Sequence, residues 1–332
     1  ANALDWSDTT AEGTWVGASS AGYGFVSGVD DNDVSLNDGT SATTGGFVNT
    51  SGRTYVLWNW KAGGEPTATN SAGAGNTPTA GSVKIDGANL GSALAGSIPA
   101  TKLSANTTAG FSIVTYTGTG TAGTVAHGLG AIPNMYMVKC LDNSASSDHW
   151  YVYHAGIASN AEDYEIYLNL TARAYENNNY PWNETKPTNS VFSIKTLQDV
   201  NQSSKLYVAY CFAEVEGYSK FGSYTGNNAT DGSFVFLNFT PALVIIKSTV
   251  QTESWDMHDN ARNTFNVNDK SLLANAVNGE NAVGVARQQL DFLSNGFKLR
   301  NQGDANPSIN NEATTYIYMA FSEAPFKYAN AK

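Results

Sequence analysis

Two long stretches of this chain repeat each other, and that repetition limits the possible folds more than any composition does. Thr115-Tyr116-Thr117-Gly118 matches Ser223-Tyr224-Thr225-Gly226, and each Tyr is followed 17 residues later by a proline, Pro133 or Pro241. Six residues beyond each proline stands a lysine, Lys139 or Lys247, closing the runs NMYMVK and ALVIIK. A tryptophan follows (Trp150, Trp255), then a Phe-centred run, VFSI (191–194) or GFKL (296–299). Each stretch closes on an aromatic run, LYVAYCF (206–212) or TYIYMAF (315–321). The shared spacing predicts a duplicated module of about 105–110 residues, at 111–218 and 219–332.

Residues 1–64 read as a partial third copy. TYVLWNW (54–60) aligns with the closing runs and GFV (46–48) with the Phe-centred ones, but the Tyr-Thr-Gly and Pro-to-Lys elements are not found there. A chain that starts at Ala1 rather than Met is expected to be processed or partial. Between the copies, 65–110 turns to Gly, Ala, Thr, Ser and Asn. It reads as a flexible linker or extended arm, too poor in apolar residues to fold alone.

The local pattern is that of strands. Within 206–212, Tyr207, Ala209 and Cys211 fall on one side and Val208, Tyr210 and Phe212 on the other, since strand side chains alternate. The second set recurs as Ile317, Met319, Phe321 and as Val56, Trp58, Trp60, always large and apolar. Trp58, Trp60, Tyr210, Phe212, Met319 and Phe321 are therefore the candidate core residues. Asp38-Gly39, Asp231-Gly232 and Asn295-Gly296 are predicted turns. KSLLANAVN (270–278) is expected as one short helix. Many short strands with frequent turn signals predict an all-β chain of tandem β-sandwich modules, of jelly-roll or Ig-like size.

Composition narrows the function. With 18 Lys+Arg against 29 Asp+Glu, the formal charge is −11. That sign disfavours nucleic acid, whose non-specific affinity comes from cations on phosphate, and anionic lipid likewise. No apolar run approaches the ~20 residues of a spanning helix, so no membrane insertion is expected. Cys140 and Cys211, the only cysteines, cannot supply a disulfide framework or a thiolate zinc site, and are expected as free buried thiols. No cofactor is expected.

Several groupings of residues bear on chemistry. Gly118, Gly120 and Gly123 fit the GxGxxG spacing, but a strand pattern follows instead of a helix, so a hairpin loop is the better reading. Asp30, Asp31 and Asp33 are a weak Ca²⁺ candidate; Val34 interrupts the EF-hand pattern, which leaves a solvated turn as the plainer reading. The four histidines, His127, His149, His154 and His258, lack ligand or triad spacing and are expected in packing positions. Glu162, Asp163, Glu165, Glu214 and Glu216 include enough carboxylates for a glycosidase pair, although strand-end solvation explains them more simply. No catalytic residue is assigned. Tyr164, Tyr167, Tyr175, Tyr180 and Trp182 gather beside Asn177-Asn178-Asn179, a candidate platform for a glycan or for another subunit.

The stretches FSIVTYTGTGTAGTVAHGLG (111–130), LYVAYCFAEVEGYSKFGSYTGN (206–227), LDFLSNGFKLRN (290–301) and TYIYMAFSEAPFKYANA (315–331) resemble an uncharacterised repeat module of tailed, especially marine, bacteriophages. That module occurs in tail-fibre and virion structural proteins. The resemblance implies a virion setting and carries no chemistry; within that setting the chain is expected to be a non-enzymatic, extracellular protein mediating host-surface attachment through multivalent contacts. The setting implies partners among copies of the same chain (a trimer, by fibre analogy), other virion proteins and host surface glycan. A capsid decoration or other coat protein with purely structural contacts is the alternative, and a polysaccharide depolymerase a third.

Overall fold

The computed structural model describes residues 25–29, 34–37, 52–142, 149–176, 180–280, 288–301 and 308–322. The main break in the chain lies between Asn59 and Trp60. On its N-terminal side, β1 (Phe25–Val29) and β2 (Val34–Asn37) pair antiparallel, with a register shift between Val26 and Gly28. Residues 54–59, expected as part of a closing strand, form none. Alternation makes a strand only where neighbours complete the hydrogen-bond ladder, and among the described residues no strand pairs with this run. Tyr55 and Leu57 are exposed and Trp58 is half-buried.

The larger unit is nearly all strand. Its first half holds β3 (Val83–Ile85), β4 (Ala88–Asn89), β5 (Ala100–Asn106), β6 (Phe111–Thr117), β7 (Gly123–Ala126) and β8 (Met135–Cys140). It continues with β9 (Tyr151–His154), β10 (Tyr164–Tyr167), β11 (Tyr175–Glu176), β12 (Val191–Ile194) and β13 (Leu206–Phe212). Nine of these form one sheet in the order β11-β10-β9-β8-β13-β6-β5-β3-β4, and β12 pairs with β7 in a second. The second half holds β14 (Ser219–Thr225), β15 (Asp231–Phe236), β16 (Pro241–Ser248), β17 (Asp256–Asp259) and β18 (Leu272–Leu273). Then come β19 (Gln289–Leu293), β20 (Gly296–Arg300) and β21 (Thr315–Ser322). Its sheets are β14-β21-β16-β17-β18 and β15-β20-β19. The larger one repeats, strand for strand, the order β6-β13-β8-β9-β10 of the first half.

The same side-chain clips recur in both halves. The Tyr116 hydroxyl donates to Val200 O at 2.6 Å, and the Tyr224 hydroxyl to Ile309 O at 2.7 Å. Asn201 Oδ1 accepts from Thr119 N, as Asn310 Oδ1 accepts from Asn227 N. This backbone lies so close to Gly118 and Gly226 that a Cβ on either would stand 2.2 Å from a carbonyl oxygen, of Gln202 or Asn311. Trp150 N and Trp255 N each donate to an asparagine side chain, Asn169 and Asn275.

The segment expected as a flexible linker is instead built into the first half. β5 runs antiparallel to β6 with Leu103 opposite Val114, and β3 runs parallel to β5 with Val83 opposite Leu103. Val83, Ile98, Leu103 and Ala105 join the core. The rest is held by polar bonds: Asn70 Oδ1 accepts from Ala72 N and Thr79 N, and its Nδ2 donates to Ala100 O. A segment too apolar-poor to fold alone folds here because the edge of β6 supplies the missing partner. The expected helix over 270–278 is also absent. Leu272 and Leu273 pair with Met257 and Asp256 as β18, so tertiary pairing overrides a weak helical propensity. Asp231-Gly232 opens β15 rather than turning, whereas Asn295 lies in the turn between β19 and β20.

The closing strands bury the expected face, with Phe212, Met319 and Phe321, and the opposite face as well. Tyr207, Ala209 and Cys211 of β13 face the core of the first half, with Tyr116, Tyr136 and Phe192. Tyr316, Tyr318 and Ala320 of β21 do the same in the second half, around Phe297. Phe212 and Phe321, from the opposite faces, meet each other at 6.0 Å between ring centroids. Phe221 lies 5.9 Å from Phe321, and the half-buried Trp60 5.4 Å from Phe321 and 6.1 Å from Phe212. Met319 is buried, while Tyr210 is half-buried and stacks on Trp150 at 6.0 Å. Both faces of each closing strand are buried, so apolar size could not tell core from seam.

Replacing Phe212 or Phe321 by Ala should cost about 3–5 kcal/mol of stability in urea unfolding. Because the two rings touch, the double variant should depart from additivity by about 0.5 kcal/mol or more.

Candidate functional site at the seam

The seam between the two halves is sewn by polar bonds as well as rings. Ala174 N donates to Thr249 O at 3.0 Å, Trp255 Nε1 to Tyr167 O at 2.8 Å, and Lys247 Nζ to Thr171 O at 3.3 Å. Lys247 is buried, which lowers its pKa to about 8 even though Asp256 and Glu253 pull it upward. Lys139, at the matching position of the first half, is buried too. The repeat had marked both lysines as landmarks, with no sign of their burial.

Beside these bonds the hairpin β10–β11 stands over an open cleft of about 320 Å³. Its register puts Tyr164 opposite Glu176 and Glu165 opposite Tyr175. Glu165 is buried and accepts from the Tyr167 hydroxyl at 2.6 Å. Tyr164, Arg173, Tyr175 and Glu176 line the cleft from the first half, and Thr249 and Thr315 from the second. Arg173 lies over the Tyr175 ring at 5.5 Å, and Tyr175 is 42% exposed. Thr249 donates to Thr315 O from both its N–H and its hydroxyl, each at 3.0 Å, which fixes the floor.

Only part of the predicted aromatic platform reaches this cleft. Tyr164 and Tyr175 do. Trp182 is a correction: it is fully buried, 4.8 Å edge-on from Tyr136, with Nε1 donating to Tyr164 O. A large indole completes a core more readily than it stays wet, and its one N–H finds a backbone carbonyl there. Tyr167 packs 4.9 Å from Tyr151, and Tyr180 sits under the Lys195 ammonium at 4.9 Å. Asn177, Asn178 and Asn179 lie outside the described residues, as do Asp30, Asp31 and Asp33. Arg173, Thr249 and Thr315 were not singled out from sequence. They carry no motif, and Thr249 and Thr315 come from a distant stretch of chain.

The remaining candidates are engaged structurally. Glu162 lies 4.0 Å from Lys186, Asp163 accepts from Asn160, and Glu214 accepts from Phe221 N. Gly118 and Gly120 lie in the loop after β6, and Gly123 begins β7. Cys140 and Cys211 are buried thiols that form no disulfide, Cys140 donating to Asp142 O, and burial pushes the Cys211 thiol up to about 12. Among the described residues no cluster of three His, Cys, Asp or Glu is placed to hold a metal ion.

His127 and His154 share one arrangement. Each takes the N–H two residues on at Nδ1 (Leu129, Gly156), so Nε2 carries the proton and donates to a carbonyl, Thr188 O or Tyr318 O. His154 thereby ties β9 to β21 across the seam. His258 is one register step away: it lies opposite Val244 on β17, whereas His154 lies opposite Met135 on β9, the place that Asp259 takes opposite Leu243. His258 Nδ1 meets Asn268 Oδ1 at 3.2 Å. Burial lowers all three histidines from the usual 6.5 to about 4.

Two outcomes follow. The unfolded chain takes up protons on these histidines below about pH 6.5 while the native state resists until about pH 4. Their contribution is therefore intact above pH 6.5 and declines as pH falls toward 4. Thermal unfolding between pH 7.5 and 4.5 should show that slope, shallower in His154→Gln. Trp182→Ala should lower stability by about 3–5 kcal/mol in urea unfolding, as loss of a buried indole does.

Residues 7–325 match the model of a family described as a domain of unknown function, DUF7483. No curated protein and no solved structure matches the chain.

Proposed function

We propose that this chain, which belongs to the DUF7483 family, is a non-enzymatic virion protein of a tailed bacteriophage, carried on a tail fibre or comparable appendage and attaching to host-surface glycan. The single observation that carries the reading is the open cleft at the seam, with Tyr164, Tyr175 and Arg173 at its wall. The resemblance of 111–130, 206–227, 290–301 and 315–331 to phage repeat modules supports the virion setting. The common strand order and matching Tyr and Asn clips support reading the two halves as copies of one sandwich-like unit.

Each cleft is small and open, so a single contact is weak. Several chains on one particle turn weak contacts into avidity without any new bond. A trimer suits a fibre. Phe234 and Phe236, 46% and 51% exposed on the outer strand β15, fit a contact between copies or with another virion protein. The same phenylalanines favour a second reading, a coat protein whose contacts are purely structural.

The test is location and competition. Gold-labelled antibody against the chain should decorate a tail appendage in electron micrographs, and the purified chain should slow adsorption of particles to host cells. Label over the capsid shell, with adsorption unchanged, would overturn attachment in favour of the coat reading.

A further inference from the structure

We infer that the seam cleft takes a sugar residue bearing a carboxylate, gripped by the Arg173 guanidinium and stacked against Tyr175. This rests on the glycan-attachment reading and names the chemical class that the site prefers.

Among the described residues that line the cleft, Arg173 is the one cation. The chain is acidic, −11 overall. Several of its cations are neutralised within the fold: Arg262 by Asp259, Lys298 by Asp231, Arg300 by Asp231 and Asp291. Arg173 differs. Among the described residues it meets the face of Tyr175 and forms no ion pair, although it lines the cleft. A guanidinium held over a ring is restrained in position, and its N–H fork matches a planar, two-oxygen acceptor. A carboxylate is that acceptor, and its single charge suits one arginine.

The remaining walls fit a sugar body. Tyr164 and Tyr175, both lining the cleft, supply aromatic surface for the C–H groups of a pyranose, on the side of Tyr175 away from Arg173. The Thr249 hydroxyl already donates to Thr315 O, which leaves its oxygen lone pairs to accept from ring hydroxyls. The Glu176 carboxylate is a second acceptor on the same wall. Glu176 also works against a more highly charged guest: a dianionic phosphate would face it, whereas a carboxylate held on the Arg173 side presents hydroxyls to it. At about 320 Å³ the cleft lies at the small end of the ~300–1,000 Å³ common for ligand sites, suited to a terminal residue or a short stretch of a chain. Both halves contribute, so the site exists only while the seam is closed.

Calorimetric titration of the whole chain with tetragalacturonate and with 3′-sialyllactose, each beside its methyl ester, tests this. The acid of at least one pair should bind about tenfold or more tightly than its ester, the scale of a charge-assisted hydrogen bond. That preference should vanish in Arg173→Ala and shrink in Arg173→Lys, while Tyr175→Ala should weaken acid and ester alike. Melting curves like that of the parent establish that each variant is folded. Equal binding of acid and ester through Tyr175 overturns the carboxylate and leaves glycan attachment standing. Acid binding untouched by Arg173→Ala overturns the site. Oligoglutamate binding as tightly as the sugars overturns the sugar in favour of an acidic peptide. If none of the saccharides binds, the inference fails, and the adsorption experiment then decides whether attachment fails with it.

Discussion

The two closing strands, β13 and β21, each bury both faces, and the rest of the larger unit is arranged around that fact. One face of each strand carries tyrosines and small residues into its own half, where they meet Phe192 or Phe297. The other carries Phe212 or Phe321 into the seam. Neither half could present that second face to water without exposing a row of large apolar side chains. Packing the halves together removes it and, as a consequence, brings the loop before β11 against the end of β16.

That juxtaposition is what creates a candidate site. Ala174 and Thr249 are joined through the backbone, and Tyr164, Tyr175 and Arg173 stand over the floor that Thr249 and Thr315 form. The polar seam contacts are made mainly by side chains on backbone carbonyls: His154 on Tyr318 O, Trp255 on Tyr167 O, Lys247 on Thr171 O. Such bonds fix orientation without needing a paired charge. The rim beyond them stays open, with Val250 and Tyr175 half in water.

Much of the fold was legible in the residues. The landmarks Tyr116 and Tyr224 lie at equivalent places in equivalent strand orders, and the all-β reading describes nearly every element. Legibility failed where a partner far along the chain decided the outcome. Residues 83–106 look too weak to fold, yet β6 gives them a ladder; Leu272 and Leu273 look helical, yet β17 pairs with them. The site was half visible. Aromatic density around 164–182 pointed to the right hairpin but could not separate Tyr175, which stays exposed, from Trp182, which closes the core.

By itself the sequence determined the strand character of the fold and the acidic, cation-poor balance of the chain, because alternation and charge are local properties. Which side of each strand faces its own core, whether the Gly- and Thr-rich segment hangs free, and which arginine shares a cleft with which threonines were settled only in three dimensions. Those outcomes depend on which apolar faces find each other, and a strand that is large and apolar on one side and aromatic on the other carries no mark saying which face will be met by which neighbour.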